Sequence, residues 1–170
     1  FSAVVENNLT ARTKSDKFVM ARHFFKVGQA RAQGRAMILS LAAQLAAQLP
    51  GLAEALLPVA KECHGKMDMT LDDLFDRFLL EPLTRLDQAA TSCGSPLPPV
   101  LLLLDALDEA DHKGQGWLPV ARLVARRFCS LPPCVKAIVT SRPHTSVVFT
   151  KWDSPHVNVI EPNTDQNMQD

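Results

Sequence analysis

The sequence predicts an α/β domain built on a mostly parallel sheet, and three observations carry that prediction. The run Val100-Leu-Leu-Leu-Leu-Asp105 is apolar and branched until it ends on an acid, the composition of a strand buried on both faces inside a parallel sheet. A second run, 135–140 (Val-Lys-Ala-Ile-Val-Thr), has the same character and also leads into polar residues, Ser141 and Arg142. Around these runs lie segments whose apolar residues recur at three- and four-residue spacing. Strands therefore alternate with helices, the order of a doubly wound sheet.

Taken from its start, the chain places Phe1, Val4, Val5 and Leu9 on a helical stripe too short to stand alone, and 10–17 form a polar, basic connection. Residues 18–25 (Phe-Val-Met-Ala-Arg-His-Phe-Phe) have strand composition; His23 within them reads as a packed or edge residue. The stretch 26–35 holds Gly28, Gly34, Lys26, Arg31 and Arg35 and reads as a mobile loop. Ile38, Leu41, Ala42, Leu45 and Leu49 then form the clearest helical face, opposite Ser40, Gln44 and Gln48, and Pro50-Gly51 ends it.

A weaker helix follows over 52–63, stopped by Gly65. Thr70, three residues before Asp73, opens the next helix as a capping box, with Leu71, Leu74, Phe75 and Phe78 on its apolar face. Asp72, Asp73 and Asp76 then fall toward solvent or the helix N-terminus, where negative charge is favourable. Serine, glycine and proline over 91–99 mark a loop into the first buried strand, and 112–116 a flexible link after it. Trp117, Val120, Ala121, Val124 and Phe128 line another amphipathic helix, with Arg122, Arg126 and Arg127 elsewhere on it as surface charge. Pro132-Pro133 breaks it before the strand 135–140, and 157–160 reads as a last strand.

Within 170 residues there is room for one such domain with a real core. The 18 basic and 18 acidic residues cancel, so no global charge points to nucleic acid or an acidic membrane. No apolar run approaches the roughly 20 residues that span a bilayer. Cys63, Cys93, Cys129 and Cys134 show neither a C-x-x-C nor paired metal-ligand spacing and read as reduced thiols of a cytoplasmic protein. The chain opens Phe1-Ser2-Ala3 and closes on a polar stretch, 163–170, that leads toward a further helix; both ends read as those of an internal piece of a larger protein.

The acids after the first buried strand are the candidate chemistry. Ligands of open α/β sheets gather beyond the carboxyl ends of strands, so Asp105, Asp108 and Glu109 face a site. A carboxylate there is favourable beside a hard cation such as Mg²⁺ that is itself bound to phosphate oxygens. This is the pattern of a Walker B strand: Asp105 holds Mg²⁺ directly or through water, and Asp108 or Glu109 orients an attacking water. The bland alternative is a buried strand whose exit loop is acidic. A phosphatase with Asp105 as nucleophile wants a second acid two residues on, where Leu107 stands. At the end of the other strand, Arg142 reads either as a surface ion-pair partner or, forking onto oxygens, as a contact to a terminal phosphate.

The strand with Asp105-Ala-Leu-Asp-Glu109, the strand Ala137-Ile-Val-Thr-Ser-Arg-Pro143, and the segments His23-Phe-Phe25 and Ser40-Leu-Ala-Ala-Gln-Leu45 together resemble a NACHT domain. That is a branch of the signal-transduction P-loop NTPases found in innate immune receptors and large repeat proteins. The resemblance covers about 1–162 and implies a three-layer α/β/α fold with ATP or ADP and Mg²⁺ as ligands. It implies Asp105 at the metal, Asp108 and Glu109 as the acidic pair of hydrolysis, and Arg142 with Ser141 as the phosphate sensor. It further implies a slow ATPase that switches between a closed ADP form and an open, self-associating ATP form, with effector and repeat domains in the same chain.

The family's phosphate loop, G-x-x-x-x-G-K-[ST], cradles phosphates on successive backbone amides, and no such run occurs here; Gly65-Lys66 is followed by Met67 and preceded at position 60 by Ala60. Family order places that loop and its strand ahead of Phe1, leaving the sheet incomplete, so the 170 residues alone are expected to be marginally stable or to aggregate. The reading from another class is a degenerate module that binds no nucleotide and serves as a scaffold or oligomerisation domain.

Overall fold

A computed structural model describes residues 18–63, 69–142, 158 and 160. Three strands, β1 (Val19–Phe24), β2 (Val100–Asp105) and β3 (Val135–Val139), form one parallel sheet in the order β1-β2-β3. Val100 pairs with Val19 on one side and Val135 on the other, so the strands run in step. Phe24 lies opposite Asp105, and Leu104 opposite Val139. All three carboxyl ends therefore open at one end of the sheet.

The helices are α1 (Gly34–Ala46), α2 (Leu52–Cys63), α3 (Leu71–Phe75), α4 (Glu81–Ser92) and α5 (Leu118–Arg127). Residues 18–25 and the helices from 52, 71 and 117 fall where the sequence places them. The stretch 26–35 is more ordered than the loop expected of it. It contains a 3-10 turn, Ala30–Ala32, and its last two residues already belong to α1. Gly34 opens α1 because nothing larger fits: a Cβ there would lie 2.9 Å from Val120 Cγ2 and 3.0 Å from Leu71 Cδ2.

Thr70 caps α3 as predicted, its hydroxyl oxygen accepting the Asp73 N–H at 3.1 Å while the Asp73 carboxylate accepts the Thr70 N–H. α3 runs into α4 through a π-helical turn, Asp76–Leu80, in which the Glu81 N–H donates to the carbonyl of Asp76 five residues back. Pro82, with no N–H to continue the ordinary ladder, follows at once.

One core joins these elements. Val19, Ala21, Val100, Leu102, Leu104 and Val135 enter it from one face of the sheet, and Ile38, Leu41, Leu74, Phe75, Val120 and Val124 from the helices. A sheet that advances in one direction by crossovers of one hand puts its connecting helices on a single face. The described residues thus show two layers, the sheet and one layer of helices. The helical stripe expected over 1–9, the links 10–17 and 163–170, and most of the strand expected over 157–160 lie outside the described residues; Asn158 and Ile160 are in no strand.

The two outer strands differ. The outward edge of β1 is closed by two glutamine side chains, Gln44 on α1 and Gln48 just past its end. Gln44 donates to the Arg22 carbonyl at 2.8 Å and accepts the Arg22 N–H at 3.0 Å. Gln48, one turn on, does the same for Met20 at 2.8 and 3.3 Å. Two glutamines four residues apart thereby imitate a neighbouring strand, a role their polar spacing left unspecified in the sequence. On β3, by contrast, Lys136, Ala137 and Ile138 are exposed.

Candidate functional site

Beyond the carboxyl ends of the strands the chain brings together all five residues that the sequence singles out. Asp105 is the last residue of β2. Ala106 then takes a left-handed conformation, φ 55° and ψ 51°, which costs a non-glycine residue about 1–2 kcal/mol, and a 3-10 turn, Leu107–Glu109, follows. Leu107 is fully buried and anchors the turn in the core, so Asp108 and Glu109 project to either side of it.

Each acid meets a different strand end. The Asp105 carboxylate accepts the hydroxyl of Thr140, the residue after β3. Asp108 accepts the Arg142 guanidinium at 3.1 Å through Nε, the Arg142 backbone N–H at 3.2 Å and the Ser141 hydroxyl at 3.4 Å. Glu109 accepts the Val27 N–H at 3.3 Å and stands 3.9 Å from Lys26 Nζ, both on the exit of β1. The acids of one turn thus hold the exits of the strands on either side.

In the sequence Thr140 is no more than the last residue of its strand run. Its backbone N–H donates to Leu104 and its carbonyl accepts from Leu107, at 2.9 and 3.0 Å, while its hydroxyl oxygen accepts the Ala106 N–H at 3.1 Å. The left-handed turn is therefore held from β3. Only its place at the polar end of the strand hints at this.

His23 takes no part in the site. It is 6% exposed, its Nε2–H donates to the Arg31 carbonyl at 2.8 Å, and its ring meets Phe25 edge to face. Burial pushes its pKa below the ordinary value of 6.5, the hydrogen bond to Arg31 opposing this only in part. The groove beside it, about 320 Å³ and bordered by Arg22, Arg31 and Ser40, is separate from the acidic turn.

The Nephrocystin 3, N-terminal family model matches residues 1–142. The chain belongs to the nephrocystin 3 N-terminal family. The match runs through all three described strands and stops at Arg142, the last residue of the candidate site. No NACHT model matched, and neither the curated proteins nor the solved structures contain a match to the chain.

The donor set of the site suits Mg²⁺ in one specific manner. Among the described residues no three His, Cys, Asp or Glu side chains converge on a point where a metal could be held. Mg²⁺ is commonly held by one or two carboxylates and completes its shell with phosphate oxygens and water. Asp105 fits that use: Oδ1 takes the Thr140 hydroxyl, and among the described residues Oδ2 takes no hydrogen bond. No helix among the described residues is long and apolar enough to cross a membrane.

Proposed function

We propose that this domain is part of a cytoplasmic NACHT-type switch, in which ATP or ADP and slow Mg²⁺-dependent hydrolysis govern conformation and self-association. The observation that carries this reading is the gathering of Asp105, Asp108, Glu109, Ser141 and Arg142 at the carboxyl ends of parallel strands, where open α/β sheets take their ligands. Asp105 would hold Mg²⁺, whose chemistry is to neutralise phosphate charge. Asp108 or Glu109 would orient water, and Arg142 with Ser141 would contact the terminal phosphate. The reading requires a glycine-rich phosphate loop ahead of Phe1, since none lies within the 170 residues.

A scaffold that binds no nucleotide is the second reading, and a specific observation favours it. Asp108 is already matched to Arg142, and Glu109 to Lys26, so two of the three acids carry a cation of the chain itself. A phosphohydrolase with Asp105 as nucleophile gains nothing from the geometry, because the place of its second acid is taken by buried Leu107.

Thermal-shift titration of the full-length protein with Mg²⁺-ATP and Mg²⁺-ADP, beside Asp105→Ala, separates the first two. A ligand that binds the native state raises the melting point by mass action. A rise that weakens in the variant supports the switch; a well-folded protein that no nucleotide stabilises supports the scaffold.

A further inference from the structure

We propose that Thr140 is a positioning residue that presents one oxygen of Asp105 to a divalent cation, an assignment that rests on the nucleotide-switch reading. A hydroxyl carries one proton. Because the oxygen of Thr140 accepts the Ala106 N–H at 3.1 Å, the proton is free to be given to Asp105 Oδ1, which accepts it. The backbone that carries the hydroxyl is held at both the Thr140 N–H and its carbonyl, by Leu104 and Leu107. A β-branched side chain on a pinned backbone has few rotamers to choose from.

The consequence falls on the carboxylate. Donation to Oδ1 orients the Asp105 group and leaves Oδ2 as the oxygen with no hydrogen bond among the described residues. Mg²⁺ demands a near-ideal octahedral shell, so a carboxylate that arrives already oriented binds it better than one that must be ordered on binding. Partners that orient a ligand in this way change metal affinity by about 10–100-fold when removed. The same hydroxyl fixes Ala106 in its left-handed conformation, so one atom sets both the ligand and the turn that carries Asp108 and Glu109.

The test is a Mg²⁺ titration of ATP-induced thermal stabilisation in the full-length protein, with wild type, Thr140→Ser and Thr140→Val compared, and ATP alone in EDTA as the metal-free arm. Thr140→Val is expected to raise the half-saturating Mg²⁺ concentration by about 10–100-fold, a larger loss than any it causes to stabilisation in EDTA. Thr140→Ser, which keeps the hydroxyl, is expected to restore half-saturation to within a few fold of wild type. If Thr140→Val does not fold, Thr140→Cys, with a weak S–H donor in place of the hydroxyl, is expected to require several-fold more Mg²⁺ than Thr140→Ser. An unchanged half-saturation in Val or Cys overturns the assignment and leaves the switch standing, as does an equal loss in EDTA. A wild type whose ATP stabilisation does not depend on Mg²⁺ overturns both.

Discussion

The Asp108 side chain, 7% exposed, accepts the guanidinium of Arg142, 72% exposed, with Nε 3.1 Å from Oδ2. The pair is therefore unlike a surface ion pair, whose two members are both in water and contribute little. Truncation of the arginine takes the charged partner from a largely inaccessible acid and leaves it, among the described residues, the Ser141 hydroxyl and the Arg142 N–H, at 3.4 and 3.2 Å. Arg142→Ala is expected to destabilise the fold by about 1–3 kcal/mol, and Asp108→Asn with Arg142→Ala together by less than the sum of the two. Urea unfolding of the four proteins measures the coupling. Strict additivity would show that the two side chains ignore each other.

The glutamine ladder on β1 predicts a change of association state. Gln44 and Gln48 occupy the outward N–H and carbonyl groups of Arg22 and Met20, and an uncovered strand edge is a template for another chain. The double variant Gln44→Ala, Gln48→Ala is expected to lose roughly 1 kcal/mol per side chain and to associate as concentration rises. Light scattering across a dilution series reads this directly. A double variant that stays at the wild-type mass while its stability falls would limit the ladder to a role in packing.

Much of this architecture was legible in the sequence because burial on both faces of a strand and on one face of a helix leaves a periodic record. The run to Asp105, the stripe from Ile38 to Leu49 and the Thr70 capping box are of that kind. What the sequence left unread are contacts between polar residues far apart in the chain, which leave no period. Thr140 meets Asp105 across 35 positions. Arg127, read as surface charge, donates to Asp72 at 2.8 Å and to Asp76, with its guanidinium 5.5 Å from the centre of the Phe75 ring. Asp72 and Asp76 lie one turn apart on α3 and its π-helical continuation, so the planar guanidinium clamps α5 to them. The fork recognises that pair, but nothing in the local sequence of either helix announces it. Likewise Gln44 and Gln48 follow the pattern of a solvent face, and only the path of β1 beside α1 turns them into edge groups.

His23 makes stability depend on pH. Its folded-state pKa lies below 6.5, chiefly because burial disfavours the charged ring, so near and below pH 6.5 the unfolded chain binds the proton more readily than the folded one. Stability therefore falls as pH drops through 6.5, and the loss levels off once pH passes below the folded value. His112 acts in the same direction, again mainly through burial. The melting temperature is expected to be lower at pH 5.5 than at pH 7.5, and His23→Gln, which keeps a donor for the Arg31 carbonyl, is expected to reduce that difference. A difference of the same size in the variant would assign the slope to other groups.

β3 carries the prediction for the 170 residues as an isolated polypeptide. Parallel strands are ordinarily covered on both faces, yet Lys136, Ala137 and Ile138 of β3 are exposed, Ile138 at 38%. β1 has its glutamines, whereas β3 shows no strand or side-chain ladder on its outer edge among the described residues. A strand edge left open in this way pairs with other chains once partly unfolded molecules accumulate. Heating is therefore expected to give a broad transition with poor recovery and rising light scatter, and Ile138→Lys, which puts charge on the open strand, is expected to improve recovery. A sharp, reversible two-state melt in the unmodified polypeptide would mean that the exposure of β3 is tolerated and that the sheet needs no further strand for its stability.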